Sequence, residues 1–226
     1  MTVTKEPEGF YILDDGRVRC FLFVGENDAL LIDTAFPDSN IIDEVKKITS
    51  LPIKVALTHG DMDHTGGLKD FGQCYVHRED FKMIPVSIEK HELKEGDILT
   101  AGNCSLKVIH IPGHTYGSIA FLEEEKGFIL TGDGVQKNGM IFMFGENRNF
   151  PLYLESLKKL CGLVKSRNIK KIYPSHSECH LPPEAAEKVL EDAENISAGK
   201  IPMLKKHEFF PCNIYQGAFT GFLYSE

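Results

Sequence analysis

Apolar residues recur along the chain in two rhythms, one suited to strands and one to helices. Cys20–Val24 and Ala29–Ile32 are continuous apolar runs separated by Gly25-Glu26-Asn27-Asp28, turn chemistry that predicts an antiparallel hairpin. Ile41, Ile42, Val45 and Ile48 then fall on one helical face, with Asp38 or Ser39 as the expected cap and Pro52 as the stop. A buried strand over 53–57 follows. It opens into the polar, glycine-rich stretch Thr58-His59-Gly60-Asp61-Met62-Asp63-His64-Thr65-Gly66-Gly67. Polar loops at the carboxyl ends of strands are where α/β folds bind their ligands, so chemistry is expected here.

The unit of strand followed by polar loop repeats downstream. A short helix precedes a strand over 74–77, and the alternating run 105–111 halts at Pro112-Gly113-His114-Thr115. Strands over 118–122 and 127–130 form a second hairpin, which empties into Thr131-Gly132-Asp133-Gly134. A strand over 171–173 ends in Pro174-Ser175-His176-Ser177. Between these lies a helix whose Tyr153, Leu157, Leu160, Cys161 and Val164 share a face. A last helix starts at Pro182-Pro183, buries Ala186, Val189, Leu190 and Ala193, and ends near Gly199. Residues 136–151, including the run Met140–Phe144, lack a clear period and are expected to form a loop or flap.

Composition narrows the partners. The 226 residues are 42% hydrophobic and 26% charged, enough apolar material for a sizeable core. Acidic residues outnumber basic ones 33 to 25, and the net charge of −8 repels a polyphosphate backbone, so nucleic acid is not expected as a partner. No apolar run is long enough to cross a bilayer, so no membrane partner is expected, and the first residues lack a secretory pattern; the expected location is the cytoplasm. Six cysteines without a Cys-x-x-Cys pair read as reduced, mostly buried thiols. With no linker, repeat or break in composition, residues 1–226 are expected to form one domain.

His59, Asp61, Asp63 and His64 lie within six residues, and imidazole nitrogen with carboxylate oxygen suits zinc, iron or manganese. The pattern resembles the metallo-β-lactamase superfamily, whose first motif is His-x-His-x-Asp-His. Leu31-Ile32-Asp33-Thr34 is similar to that family's opening strands, and Pro112-Gly113-His114-Thr115 with Gly117-Ser118 to its second histidine motif. Thr131-Gly132-Asp133 is similar to its aspartate motif, and Pro174-Ser175-His176 to its last histidine. The resemblance implies an α/β fold, a four-layer αββα sandwich, with two divalent metal ions in a cleft at one edge of the sheets. Carried over, His59, position 61 and His114 would hold one ion, Asp63, His64 and His176 the other, and Asp133 would bridge them. Position 61 departs from the common motif, because Asp61 stands where histidine is usual. The flavodiiron branch similarly uses a carboxylate there, and histidine in place of a ligating Asp61 is expected to raise zinc affinity.

The function so implied is a metal-dependent hydrolase. A metal-bridging hydroxide would attack a small ester, thioester, lactone or amide, with Asp63 orienting it or passing its proton to the leaving group. Zinc is the first expectation for the metal, iron and manganese the alternatives. Two other readings stand beside it: a di-iron redox enzyme resembling the flavodiiron branch, or a non-catalytic metal-binding module. Tyr116, Phe142, Phe144 and Arg148 are candidate substrate contacts. His180 competes with His176 as a ligand, while His77, His91, His110 and His207 read as structural or surface residues.

Overall fold

A computed structural model describes residues 1–225. Continuous apolar runs make strands buried on both faces, and here they build two stacked sheets. The first sheet takes its strands in chain order: β1 (Thr2–Lys5), β2 (Phe10–Asp14), β3 (Arg19–Val24), β4 (Ala29–Ile32), β5 (Ile53–Ala56), β6 (Gln73–His77) and β7 (Glu89–Leu93). Neighbours are antiparallel as far as β4 and parallel from β4 onward. The second sheet contains β8 (Ile98–Ala101), β9 (Cys104–His110), β10 (Ile119–Glu123) and β11 (Phe128–Gly132). Beyond β11 lies β13 (Lys171–Pro174), in the order β13-β11-β10-β9-β8, and only the β11–β13 pair is parallel. The predicted hairpins and motif-bearing strands are all present, while β1, β2, β7 and β8 have no counterpart among the predicted elements.

The inner faces interdigitate. Phe10, Phe21, Phe23 and Ile32 of the first sheet meet Val108, Phe121, Phe128 and Tyr173 of the second. Phe10 sits among the rings of Phe21, Phe23, Phe128 and Tyr173, with centroids 4.9–6.2 Å away. The outer face of the first sheet buries Leu22, Leu31 and Val55 against Ile41 and Val45 of α1 (Ile41–Ile48). The outer face of the second buries Ile109, Leu122 and Ile129 against two helices, α3 (Phe150–Ser166) and α4 (Ala185–Ser197). The layers therefore run helix, sheet, sheet, helix, as the resemblance implies. A one-turn helix, α2 (Met62–Thr65), lies within the first motif. Among the described residues no helix is long and apolar enough to cross a membrane.

Two expectations are corrected. The cap of α1 is Asn40, in the left-handed region at φ 49° with no side-chain hydrogen bond. The side chains of Asp38 and Ser39 are engaged elsewhere, on Arg17, so they are not available to the helix. The second correction is that Met140–Met143 is a strand, β12, in place of a loop or flap. It runs parallel to β16 (Gly221–Tyr224) in a third sheet of order β12-β16-β15-β14, with β14 at Lys205–Lys206 and β15 at Asn213–Gln216. Ile141 and Met143 face the core with Phe222 while Phe142 stays exposed, the alternation of a half-buried strand. The Asp192 carboxylate of α4 accepts from the N–H groups of Ala218, Phe219 and Thr220, which fixes the β15–β16 turn against the helix.

Candidate metal centre

Strand ends from both sheets meet at one edge. Asp33 follows β4 and His59 follows β5, and the two parallel strands are locked in register there by the Asp33 N–H bond to the Ala56 carbonyl, 2.9 Å. Asp133 and His176 follow the parallel pair β11 and β13, joined by Ser175 N–H to the Gly132 carbonyl at 3.1 Å. The Ile119 N–H donates to the Thr58 carbonyl at 2.8 Å and ties one sheet to the other. Gly132 is required where the strands converge. Its φ is +52°, and a Cβ there would stand 2.8 Å from that of Thr58.

The donor atoms form two sets. In the first, Asp61 Oδ2 lies 3.3 Å from His59 Nε2 and 3.1 Å from His114 Nε2, and the two imidazole nitrogens are 3.2 Å apart. In the second, Asp63 Oδ2 lies 3.2 Å from His176 Nε2 and 3.6 Å from His64 Nε2. Asp133 faces both: Oδ1 is 3.1 Å from His176 Nε2 and 3.3 Å from His64 Nε2, while Oδ2 is 3.5 Å from His114 Nε2. The turn of α2 makes the division, since the Asp61 carbonyl accepts from both His64 and Thr65 N–H while Asp61 and Asp63 serve different sets. Tetrahedral ligation at roughly 2.0–2.1 Å needs donors about 3.3–3.4 Å apart, and these separations fit it. His64 Nε2 and Asp133 Oδ1 are also buried without a hydrogen-bond partner, an arrangement that proteins avoid unless something satisfies it. The residues fit divalent metal ions.

Each imidazole is held from behind. His64 Nδ1 lies 2.8 Å from Asp33 Oδ2, and His59 Nδ1 lies 3.0 Å from the Thr58 hydroxyl. His114 Nδ1 lies 3.0 Å from the Phe142 carbonyl and His176 Nδ1 2.7 Å from that of Arg17. Where the acceptor is a carbonyl or carboxylate, a proton at Nδ1 leaves Nε2 with its lone pair toward the centre, the arrangement that metal-binding histidines use. The buried Asp80 joins the two loops that carry these rings. Its carboxylate accepts from Gly60 N–H and Gly117 N–H, each at 2.8 Å, and from the Thr115 hydroxyl at 2.7 Å. A Cβ on Gly117 would fall 2.5 Å from the Asp80 carboxyl carbon.

At Asp61, Asp63, Asp133, His64, His114 and His176 burial resists charge, and the neighbours decide the outcome. Desolvation disfavours the Asp133 and Asp61 carboxylates, yet the surrounding histidines hold both well below the usual carboxylate range; Asp63 is lowered as well. Burial likewise opposes a charged His64, but Asp33 and Asp133 raise it well above its ordinary value. The same contest lifts His176 to about 10, through Asp133 and Asp63. His114 moves the other way, lowered by burial and by Arg148. Without metal, protons on His64 and His176 offset the carboxylates, so loading an ion displaces protons.

A cavity of about 800 Å³ opens over the two sets. Met62, Phe142 and Phe210 on its wall are 65%, 40% and 44% exposed, an apolar mouth beside a charged floor. Of the candidate substrate contacts, Phe142 and Arg148 line it. Phe144 packs on the rings of Phe142 and Phe210, behind the wall. Tyr116 stands away from the lining, its carbonyl 2.9 Å from His110 Nε2. His180 is exposed and turns its ring to Tyr173, outside both donor sets. His77 stacks on His110 with centroids 4.0 Å apart, also outside them.

Three contributors carry no motif that assigns them a part: Asp33 behind His64, Asp80 behind the loops, and Arg17 behind His176. Asp33 ends the apolar strand whose Leu31-Ile32-Asp33-Thr34 is similar to the family's opening strands, a likeness that gives the carboxylate itself no part. Asp80 sits in an irregular helical turn over 78–83, and only the fold brings it to Gly60 and Gly117. Arg17 spreads over the Phe36 ring at 4.2 Å and pairs with Asp15 and Asp38, which steadies its carbonyl.

The sequence matches the metallo-beta-lactamase superfamily over residues 13–176. Among curated relatives, the atrochrysone carboxyl ACP thioesterase AacuM of Aspergillus aculeatus is 29% identical over 179 residues, covering 76% of this chain and 51% of that one. The acyl-coenzyme A thioesterase MBLAC2 of Gallus gallus is 27% identical over 201 residues, covering 71% and 72%. The chain spans about half to two thirds of the length of the first curated relatives it matches. The metallo-beta-lactamase family protein TTHA1429 of Thermus thermophilus has the same fold, with a TM-score of 0.66 at 21% identity over 84% of this chain and 81% of that one. With the matched segment running from β2 to His176 and so containing every donor of both sets, the chain belongs to the metallo-beta-lactamase superfamily.

Proposed function

We propose that the chain is a metal-dependent hydrolase of a small acyl thioester or a related ester, lactone or amide. The observation that carries this reading is Asp133, whose two oxygens face two different sets of histidine and carboxylate donors on the floor of an open cavity. His59, Asp61 and His114 would hold one divalent ion, and Asp63, His64 and His176 the other, with Asp133 shared. Zinc suits this nitrogen-rich set first, and the three carboxylates also suit iron or manganese. When bound, the ions supply an acidified water and polarise the carbonyl.

The chain's own groups supply the rest. Asp63 lines the cavity and is held as a carboxylate, so it can accept a hydrogen bond from the attacking water, take its proton and return it to the leaving sulfur or oxygen. The exposed rims of Met62, Phe142 and Phe210 offer an apolar surface for an acyl group. Four curated relatives are named as thioesterases, which puts thioesters first among carbonyl substrates.

The test is turnover of a panel of acyl thioesters, lactones, esters and amides by protein loaded with zinc, manganese or iron. Thioester cleavage that stops on chelation and returns with metal is the expected result. Metal-loaded protein inert to the whole panel would contradict the reading. Bound iron that changes colour with reductant in such inert protein would favour redox chemistry, for which the oxygen donor Asp61 is the motivating observation.

A further inference from the structure

The motif departure at position 61 comes with a partner. Arg148 Nη2 lies 2.5 Å from Asp61 Oδ2, the same oxygen that faces His59 Nε2 and His114 Nε2. The arginine and aspartate side chains are only 12% and 19% exposed, so water does little to screen the pair or its neighbours. Arg148 is also held in place. Its N–H donates to the Gly145 carbonyl, the adjacent Asn149 N–H donates to the carbonyl of Gly113 beside His114, and the Asn149 side chain caps α3 through the Leu152 N–H. The main chain that carries the arginine is therefore fixed in the loop between β12 and α3, and the guanidinium meets Asp61 through Nη2 while its Nε is buried without a hydrogen-bond partner.

We propose that Arg148 is a positioning residue that cancels the charge of Asp61, so that the ion pair presents the first metal site with the net charge of a neutral histidine. Three carboxylates, Asp61, Asp63 and Asp133, carry −3 together; Arg148 brings the total to −2, which is what histidine at position 61 would leave with no arginine nearby. The pair is a two-residue replacement for one imidazole. This inference rests on the reading that His59, Asp61 and His114 hold a divalent ion.

Removing the arginine leaves an uncompensated carboxylate, which attracts a dication more strongly. Replacing the aspartate alone leaves a guanidinium unpaired beside the ion, which repels it, even though imidazole is by itself a good zinc ligand. This reverses the expectation from sequence that histidine at position 61 raises zinc affinity. Changing both residues restores the balance.

The experiment is zinc affinity by chelator competition, with stoichiometry by elemental analysis and folding checked by circular dichroism, on wild type, Arg148→Met, Asp61→His and the double variant. Arg148→Met is expected to bind its weaker ion roughly tenfold more tightly and Asp61→His roughly tenfold more loosely. The double variant is expected to return to within about threefold of wild type. Arg148→Gln provides a second neutral variant that can still donate to Asp61; it should shift in the same direction as Arg148→Met. Tighter binding by Asp61→His, or unchanged binding by a folded Arg148→Met or Arg148→Gln, overturns the inference. If wild type binds two ions and the variants move in the wrong direction, this inference alone fails. If wild type binds none, the metal-site reading fails with it.

Discussion

The carboxylate of Asp33 and the imidazole of His64 are both fully buried and lie 2.8 Å apart, Oδ2 to Nδ1. The other Asp33 oxygen accepts from the Thr58 N–H, and the Thr58 hydroxyl donates to Oδ2, so the carboxylate is fixed before it meets the ring. Asp33→Asn keeps the shape and removes the charge. Loss of a carboxylate behind a ligating histidine typically costs 10–100-fold in metal affinity, and a loss of about that size is expected here. Competition with a chelator measures it, and an unchanged affinity would show that the contact does not tune the ring.

Asp80 performs a similar task at a distance from the donors. Asp80→Ala strands two buried N–H groups and a hydroxyl that now share one carboxylate. At about 1–3 kcal/mol for each buried group left unsatisfied, and allowing for relaxation, a loss of about 2–4 kcal/mol is expected in denaturant unfolding of the metal-free protein. Asp80→Asn should cost less, because it retains an acceptor. A change below about 0.5 kcal/mol for the alanine variant would rule out the bracing role.

The titration of the metal-free protein has a definite sign. His64 and His176 are raised above the ordinary histidine value of 6.5, so their contribution to stability is complete below 6.5 and is lost as pH rises through the folded values, about 10 for His176. Asp61, Asp63 and Asp133 are lowered, and their contribution is present above about 3.8 and lost as pH falls through their folded values. The thermal midpoint with chelator present should therefore decline between about pH 6.5 and 10, and bound metal should flatten that decline by taking the place of the protons. A flat profile in chelator would contradict the assignment.

The C-terminal strand reaches the centre through one carbonyl. β16 pairs with β12, and the Phe142 carbonyl of β12 holds His114 Nδ1. Phe222 is fully buried between Phe150 and Tyr153. Phe222→Ala is expected to cost about 3–5 kcal/mol of stability. Zinc affinity should fall with it, although Phe222 touches no donor. Unchanged affinity in a destabilised variant would separate β12 from the placement of His114.

The proposed donor positions are legible in the sequence because each cluster follows a strand and sits in a short motif: His59 to His64 after β5, His114 after β9, Asp133 after β11 and His176 after β13. The layers are legible for a related reason, since the apolar runs and helical faces specify what must be covered. Asp33, Asp80 and Arg148 are different. Their meaning lies in what the fold brings beside them, His64, the Gly60 and Gly117 loops, and Asp61, and no local pattern encodes those meetings. β12 hides for the same reason: its four residues alternate as a strand should, but its partner β16 lies at the far end of the chain, so the run reads as a loop.

The proposed centre would hold two divalent ions per chain, with Asp133 facing both donor sets. Elemental analysis of the folded, zinc-saturated protein beside Asp133→Ala tests it most directly. About two ions per wild-type chain are expected, with at least one lost from the variant. A wild-type chain that binds no ion, or binds two that Asp133→Ala retains with unchanged affinity, would contradict it.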